Sequence, residues 1–261
     1  MPPDLDPATH RWWTLLRAAS ALNLVALAAL LTLSPTGSEA KQAQVLCAAI
    51  YTVVCAFRSF FPRVDLERTV LIDAWPSSIA LGRTAATIAE LAFTVQLGLV
   101  CAWLGDAYQI GWAAPLGAAF FPLIVVAQTA CWLGVLTLDH RWHAVEEVLW
   151  GLMMAGLAAT SIAAWPAADA ATRALLAAGI VSAGAAGWVM VGVDVPMYIA
   201  RWRAEVAAGR RFLTVTEGFA DALRTRRAAG AWSVWRPETL WMTPYFTLCV
   251  LTSQAFAWVT E

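Results

Sequence analysis

Lysine is almost missing: Lys41 stands against sixteen arginines in 261 residues. A retinal pigment needs a lysine inside a membrane span for its Schiff base. Lys41 falls at a loop edge, so that class is excluded. Histidine is scarce as well, with His10, His140 and His143 the whole supply. Three cannot build the multi-histidine boxes of membrane desaturases and hydroxylases. Only His143 is placed to ligate a deep haem, which excludes a bis-histidine haem. The cysteines, Cys47, Cys55, Cys101, Cys131 and Cys249, contain no C-x-x-C pair and fall in apolar runs, where thiols act as small hydrophobes. Neither H-E-x-x-H nor a phosphate-cradling P-loop occurs. The sequence therefore names no cofactor and carries no metal motif. Nothing in it points to nucleic acid. Charged residues make up only 13%, against roughly 25% in a soluble domain.

What remains is apolar: 60% of the residues are hydrophobic and the mean hydropathy is +0.64. A helix crossing the hydrocarbon core needs about 20 apolar residues. Seven runs qualify, near 13–34, 42–61, 79–104, 112–138, 143–165, 173–199 and 240–259. They lack the alternation of barrel strands. The fold expected is all-α, a single polytopic transmembrane helical bundle with a basic helical loop at 201–238. No cleavable signal peptide and no internal repeat are evident.

Basic residues orient the spans. Fifteen arginines lie at the N-terminus, in the loops between spans two and three, four and five, and six and seven, or at the adjoining span ends; only Lys41 and Arg173 lie on the other side. The N-terminus is expected inside and the C-terminus outside. Tryptophan prefers the headgroup level, and twelve of the 15 Trp fall at span ends or in loops. Trp12, Trp13 and Trp235 are among these expected anchors. Trp132, Trp150 and Trp188 lie deeper and either line a pocket or pack between helices. In the loop from Arg201, one helix stops at Gly209. A second begins at the capping-box pattern Thr214–Glu217 and ends near Gly230.

Ionisable groups inside a membrane are costly and point to function. Arg83, Thr87, Glu90 and Thr94 recur at helical spacing and form one polar stripe. Glu90 lies about 16 Å into its helix at 1.5 Å per residue, near mid-membrane. Gln44, Tyr51, Cys55 and Arg58 make a similar stripe in span two. Gln128 marks span four. His143 can meet Glu147 one turn on, and Glu146 is also in reach. Asp194, Tyr198 and Arg201 share a face of span six. Span one adds Asn23 and span seven Tyr245. Orientation and depth together suggest one polar cavity open to the cytosol. A structural alternative is ion pairing, Arg83 with Glu90 or Arg58 with Asp194, that only orients helices.

A desolvated carboxylate can stay protonated and donate its proton. Glu90, His143, Glu146, Glu147 and Asp194 are the candidate acid–base groups. Arg58, Arg83, Gln128, Tyr51, Tyr198, Trp132, Trp150 and Trp188 are the candidate substrate contacts. This set suits proton chemistry on a hydrophobic small molecule such as an isoprenoid, quinone or lipid. The segment His143-Ala144-Val145-Glu146-Glu147-Val148-Leu149-Trp150 resembles, over eight residues, the P-[IV]-E-E-x-[LF]-F-F segment of heterodimer-type bacterial carotenoid cyclases. Histidine stands at its first position and the flanking pattern departs. The resemblance implies isoprenoid chemistry at Glu146 and Glu147. Two other readings stay open. One is a proton-coupled transporter or channel. The other is a non-catalytic subunit of a membrane complex, for which Gly179, Ala183 and Gly187 give the small-xxx-small spacing of close helix approach. Membrane lipids are expected partners, and a homo-oligomer or a membrane partner is allowed. The location expected is integral to a membrane, the cytoplasmic membrane in a bacterium.

Overall fold

The computed structural model describes residues 4–33 and 37–259. Among them, six helices are long and apolar enough to cross a membrane. These are α1 (Pro7–Leu33), α2 (Glu39–Phe60), α3 (Ile79–Ala107), α4 (Ala113–Thr137), α5 (Arg141–Ala164) and a continuous run Ala170–Ala207. That run comprises α6 (Ala170–Trp188), a π-helical segment (Val189–Asp194) and α7 (Val195–Ala207). After it come α8 (Val215–Arg224), the single turn α9 (Trp232–Trp235), α10 (Thr239–Phe246) and α11 (Leu248–Val259). The expected seventh span is thus two shorter helices. A 3-10 turn (Trp75–Ser77) and three two-residue strands, β1 (Arg63–Val64), β2 (Thr69–Val70) and β3 (Arg227–Ala228), complete the described elements.

Local chemistry sets the ends. α1 starts earlier than expected because Asp6 Oδ1 accepts the Ala8 amide at 2.7 Å. Ser38 Oγ accepts the Lys41 amide at 3.3 Å and caps α2. Lys41 therefore lies in the first turn of α2, where it is buried, not at a loop edge. Leu138, at φ 60°, ends α4. Ser34, Pro35 and Thr36, expected to end span one and open the joint to span two, lie outside the described residues. Pro196 has no N–H, and its ring would meet the carbonyl of Gly192 in a regular helix. The helix widens to a π segment just there.

The chain folds as two compact units. The first holds α1, α2, α3 through Gln96, and everything from Thr216 to α11; the second is Leu97–Val215. In the first, Trp12, Trp13, Leu16, Tyr51, Trp235 and Phe246 build the core. Trp12, Trp13 and Trp235 are therefore not headgroup anchors. Trp235 stacks on Trp12 at 5.7 Å, and each buried indole finds an internal acceptor: Thr243 Oγ1, the Ser59 carbonyl and the Ala229 carbonyl. Trp75, Trp112, Trp142, Trp165, Trp241 and Trp258 keep exposed rings.

Amide side chains tie the helices of this unit. Gln96 Nε2 donates to the carbonyls of Gln44 and Ser253, both at 3.0 Å. Gln44 Nε2 returns a bond to the Gln96 carbonyl at 3.2 Å. Asn23 Nδ2 donates at 3.1 Å to the Phe246 carbonyl, at the break between α10 and α11. Gln254 Nε2 donates at 2.9 Å to the Asn23 carbonyl.

The segment between α2 and α3 and the segment after α8 meet as a small sheet. β1 pairs antiparallel with β2, and β2 parallel with β3. This pairing ends α8 at Arg224 rather than near Gly230. In the second unit, α3 and α4 approach through glycines. A Cβ on Gly98 would lie 2.7 Å from the Gly117 carbonyl, and one on Gly117 2.4 Å from the Gly98 carbonyl.

Gln96→Leu should remove the side-chain donor that ties two helical carbonyls and the acceptor of the Ser253 hydroxyl, at a cost of about 1–3 kcal/mol. Thermal unfolding in mild detergent should show a clear drop in Tm. Thr129→Ala should leave it unmoved, because that hydroxyl bonds only the Val125 carbonyl of its own helix.

Candidate functional site

The candidate residues gather into two clusters, one inside each unit. In the first unit, the stripe of α2 is buried along its length at Gln44, Tyr51, Cys55 and Arg58. Arg83, Glu90 and Thr94 are likewise buried on α3, with Thr87 partly so. Arg83 Nη2 lies 2.8 Å from Glu90 Oε2, so this expected ion pair forms. Tyr245 donates its hydroxyl to Glu90 Oε1 at 3.2 Å. Tyr51 stacks on Phe93 at 4.9 Å and lies 5.9 Å from the Tyr245 ring. The Arg58 guanidinium sits 5.8 Å from the ring of Tyr245 and 5.3 Å from that of Phe246. Arg58 has no ion-pair partner among the described residues.

Arg63 joins this cluster from β1. Sequence reasoning placed it at the inner surface, because it follows Pro62 in a charged loop. It is fully buried instead. Its Nη1 donates to the carbonyls of Pro76 at 3.2 Å and Ser78 at 2.9 Å. Burial, then neighbouring Arg58, push its pKa down to about 10, with Arg83 adding to the effect and Asp65 opposing it. It still carries its charge at neutral pH.

The sheet that holds Arg63 is clamped by ion pairs. Arg68 Nε meets Asp221 Oδ2 at 2.7 Å, and Arg226 Nε meets Asp73 Oδ1 at 2.9 Å. Arg68 Nη1 also donates to the Asp65 carbonyl at 2.6 Å.

The second cluster is built on α4, α5 and α7. His143 Nδ1 lies 2.9 Å from Glu146 Oε2, and both side chains are 8% exposed. The bonded acid is thus the neighbour at i+3. Glu147 is half-buried and acts electrostatically on Tyr198, as do Glu146, Asp194 and Cys131. The Tyr198 ring stacks on His143 at 5.2 Å and on His140 at 5.9 Å. His140 Nε2 lies 3.4 Å from Glu205 Oε1, and Arg210 also pairs with Glu205. The His143 ring fits only because position 134 is glycine: a Cβ there would come within 2.6 Å of ring atoms Cδ2 and Nε2. Gln128 and Trp150 are buried and Trp132 is half-buried. Trp188 is 68% exposed and lies on the surface.

Cys131, His143 and Glu146 bring a sulfur, a nitrogen and an oxygen within 4.8 Å of one another. These are zinc-type donors, brought together without any metal motif in the sequence. Cys131 was counted only as a small hydrophobe. Its signal was its place one turn from Gln128 on α4. Just outside the span, burial favours protonation of Asp139, but its bonds to Arg141 outweigh this and hold its carboxyl below the usual range.

Beside this cluster is an apolar cavity of about 290 Å³. Gly151, Ala155 and Ala158 of α5 face Ala183 and Gly187 of α6 and Val191 of the π segment across it. Gly151 lies one turn from Glu147. The small-residue spacing of span six thus lines a space as well as a helix contact. Comparison with known proteins finds no family model, no curated protein and no solved structure that matches the chain.

Asp221 yields a pH prediction. Burial favours its protonation, but its bonds to Thr225 and Arg68 outweigh this and hold its pKa below 3.8. A depressed carboxylate contributes stability that is complete above its unfolded value and is lost as pH falls through the folded one. Asp221→Asn should therefore lower Tm at about pH 6 and converge with the parent as pH falls below the usual carboxylate range. A gap that stays constant across that range would remove the carboxylate as its source.

Proposed function

We propose that the protein is a seven-span integral membrane protein, N-terminus inside, that handles a hydrophobic small molecule in the cytosolic half of the membrane. The broken α10–α11 pair is the seventh span in this reading. The observation that carries the proposal is the buried His143–Glu146 pair under Tyr198, about one to two turns along α5 from the apolar cavity. A carboxylate that accepts the Nδ1 proton leaves Nε2 as the basic nitrogen. Such a pair moves a proton to or from a substrate. Glu147, Asp194 and Tyr198 supply further proton-carrying groups, and the cavity walls exclude water. A cavity near 300 Å³ is at the small end for ligand sites, which suits one prenyl or acyl segment.

One observation favours a second reading. Only 11% of the most apolar window of Ala170–Ala207 is buried within the chain. Lipid or a partner helix would cover the rest, which is the non-catalytic subunit alternative.

Native mass spectrometry of protein purified in mild detergent tests both readings. A co-purifying apolar molecule is expected. Ala155→Phe should fill the cavity and reduce its occupancy at least tenfold, while Glu146→Gln should keep it bound and stop its conversion. A bare protein, or a ligand indifferent to Ala155→Phe, would sink the first reading. An oligomer or second subunit that survives with an empty cavity would support the other. Topology has its own check: a reporter fused after Glu261 should be active only outside the cytosol.

A further inference from the structure

Three buried arginines come together at one end of the first unit. Arg58 is in the last turn of α2, Arg63 follows in β1, and Arg83 is in the second turn of α3. Arg58 and Arg83 both act electrostatically on Arg63 and on Tyr245. The carboxylates do not match them. Glu90 is engaged by Arg83 through one oxygen and by Tyr245 through the other. Asp65 acts on Arg63, but the two make no ion pair. Arg63 Nε and Nη2 are buried donors without a hydrogen-bond partner. Arg58 meets aromatic rings and no carboxylate. Ring contacts engage the flat face of a guanidinium and leave its in-plane N–H edges to bond.

A buried charge without a counterion is costly, so a counterion is implied. We propose that Arg58, Arg63 and Arg83 form a binding site for the phosphate group of an anionic amphiphile. Several planar forks from different elements suit a tetrahedral polyanion better than a single carboxylate. The depth agrees. Arg83 lies about 6 Å into α3 at 1.5 Å per residue, and Arg58 is two residues from the end of α2. Both lie near the ends of their helices, the level at which basic pockets between spans hold lipid phosphates. Arg63 is held in place by Gly82, where a Cβ would lie 1.9 Å from its Cζ. All three arginines belong to the first unit, and the proposal does not rest on the cluster of the second.

The test follows tryptophan fluorescence through thermal unfolding of delipidated protein in neutral detergent. The additions are dioleoyl phosphatidic acid, dioleoylglycerol or inorganic diphosphate. Phosphatidic acid should raise Tm and dioleoylglycerol should not. An equal effect of diphosphate alone would make the source a soluble phosphate bound at the same site. Without phosphate, Arg58→Met should be at least as stable as the parent, since it removes an unpaired buried charge. With phosphatidic acid the order should reverse, and the variant should need at least tenfold more lipid. Gly82→Ala displaces Arg63 at constant charge and should lose the response as well. It decides the question if Arg58→Met fails to fold. The proposal falls if phosphatidic acid and dioleoylglycerol act alike, or if Gly82→Ala responds as the parent does. It also falls if Arg58→Met is equally destabilised with and without lipid. Loss of the response in the exposed-loop variant Arg210→Gln/Arg211→Gln would assign it to surface attraction and overturn the site.

Discussion

Every backbone carbonyl and amide in an apolar surrounding must find its partner within the protein. In the first unit this requirement explains residues that hydrophobicity alone leaves unexplained. The break between α10 and α11 frees the carbonyl of Phe246, and Asn23 on α1 supplies the donor. Asn23 is in turn bonded at its own carbonyl by Gln254. Gln96 and Gln44 exchange bonds from side chain to backbone across α2 and α3. Each amide bridges two helices, so helix contact is specified by hydrogen-bond register as well as by shape. The buried indoles of Trp12, Trp13 and Trp235 follow the same rule.

The same requirement sorts the charged residues. Arg83, Glu90 and Tyr245 satisfy one another, and a satisfied buried group needs no ligand to explain it. Arg63 leaves two donors open, and Arg58 rests on ring faces alone. His143 is bonded at Nδ1 while its buried Nε2 has no partner. A membrane protein holds such groups at a cost. The open valences, more than the ion pairs, are therefore the features that point to function.

The six long helices were legible because apolar length responds to the bilayer itself. The stripes of α2 and α3 were legible for the same reason, since a polar face cannot meet lipid and must turn inward. The rest depended on partners distant in sequence. Trp235 reads as an interface anchor until Trp12 is known to stack on it, 223 positions away in the chain. Arg63 reads as a surface charge until the β1–β2 hairpin and Gly82 draw it in. Cys131 reads as a small hydrophobe until α5 brings His143 beside it. Glu90 and His143, which helical depth groups together, each have partners within their own unit.

The π segment illustrates how a local defect places a functional side chain. In a regular helix successive residues are about 100° apart, so Asp194 and Tyr198 would share a face and point the same way. A π turn holds one more residue than an α turn and rotates everything after it. Pro196 makes the defect cheap, because it could not have donated to the carbonyl of Gly192 in any case. Beyond it, the Tyr198 ring lies over both His140 and His143, and within it Val191 lines the apolar cavity. The same continuous helical run thus serves two surroundings, an aromatic and ionisable one at Tyr198 and an apolar one about two turns earlier at Val191.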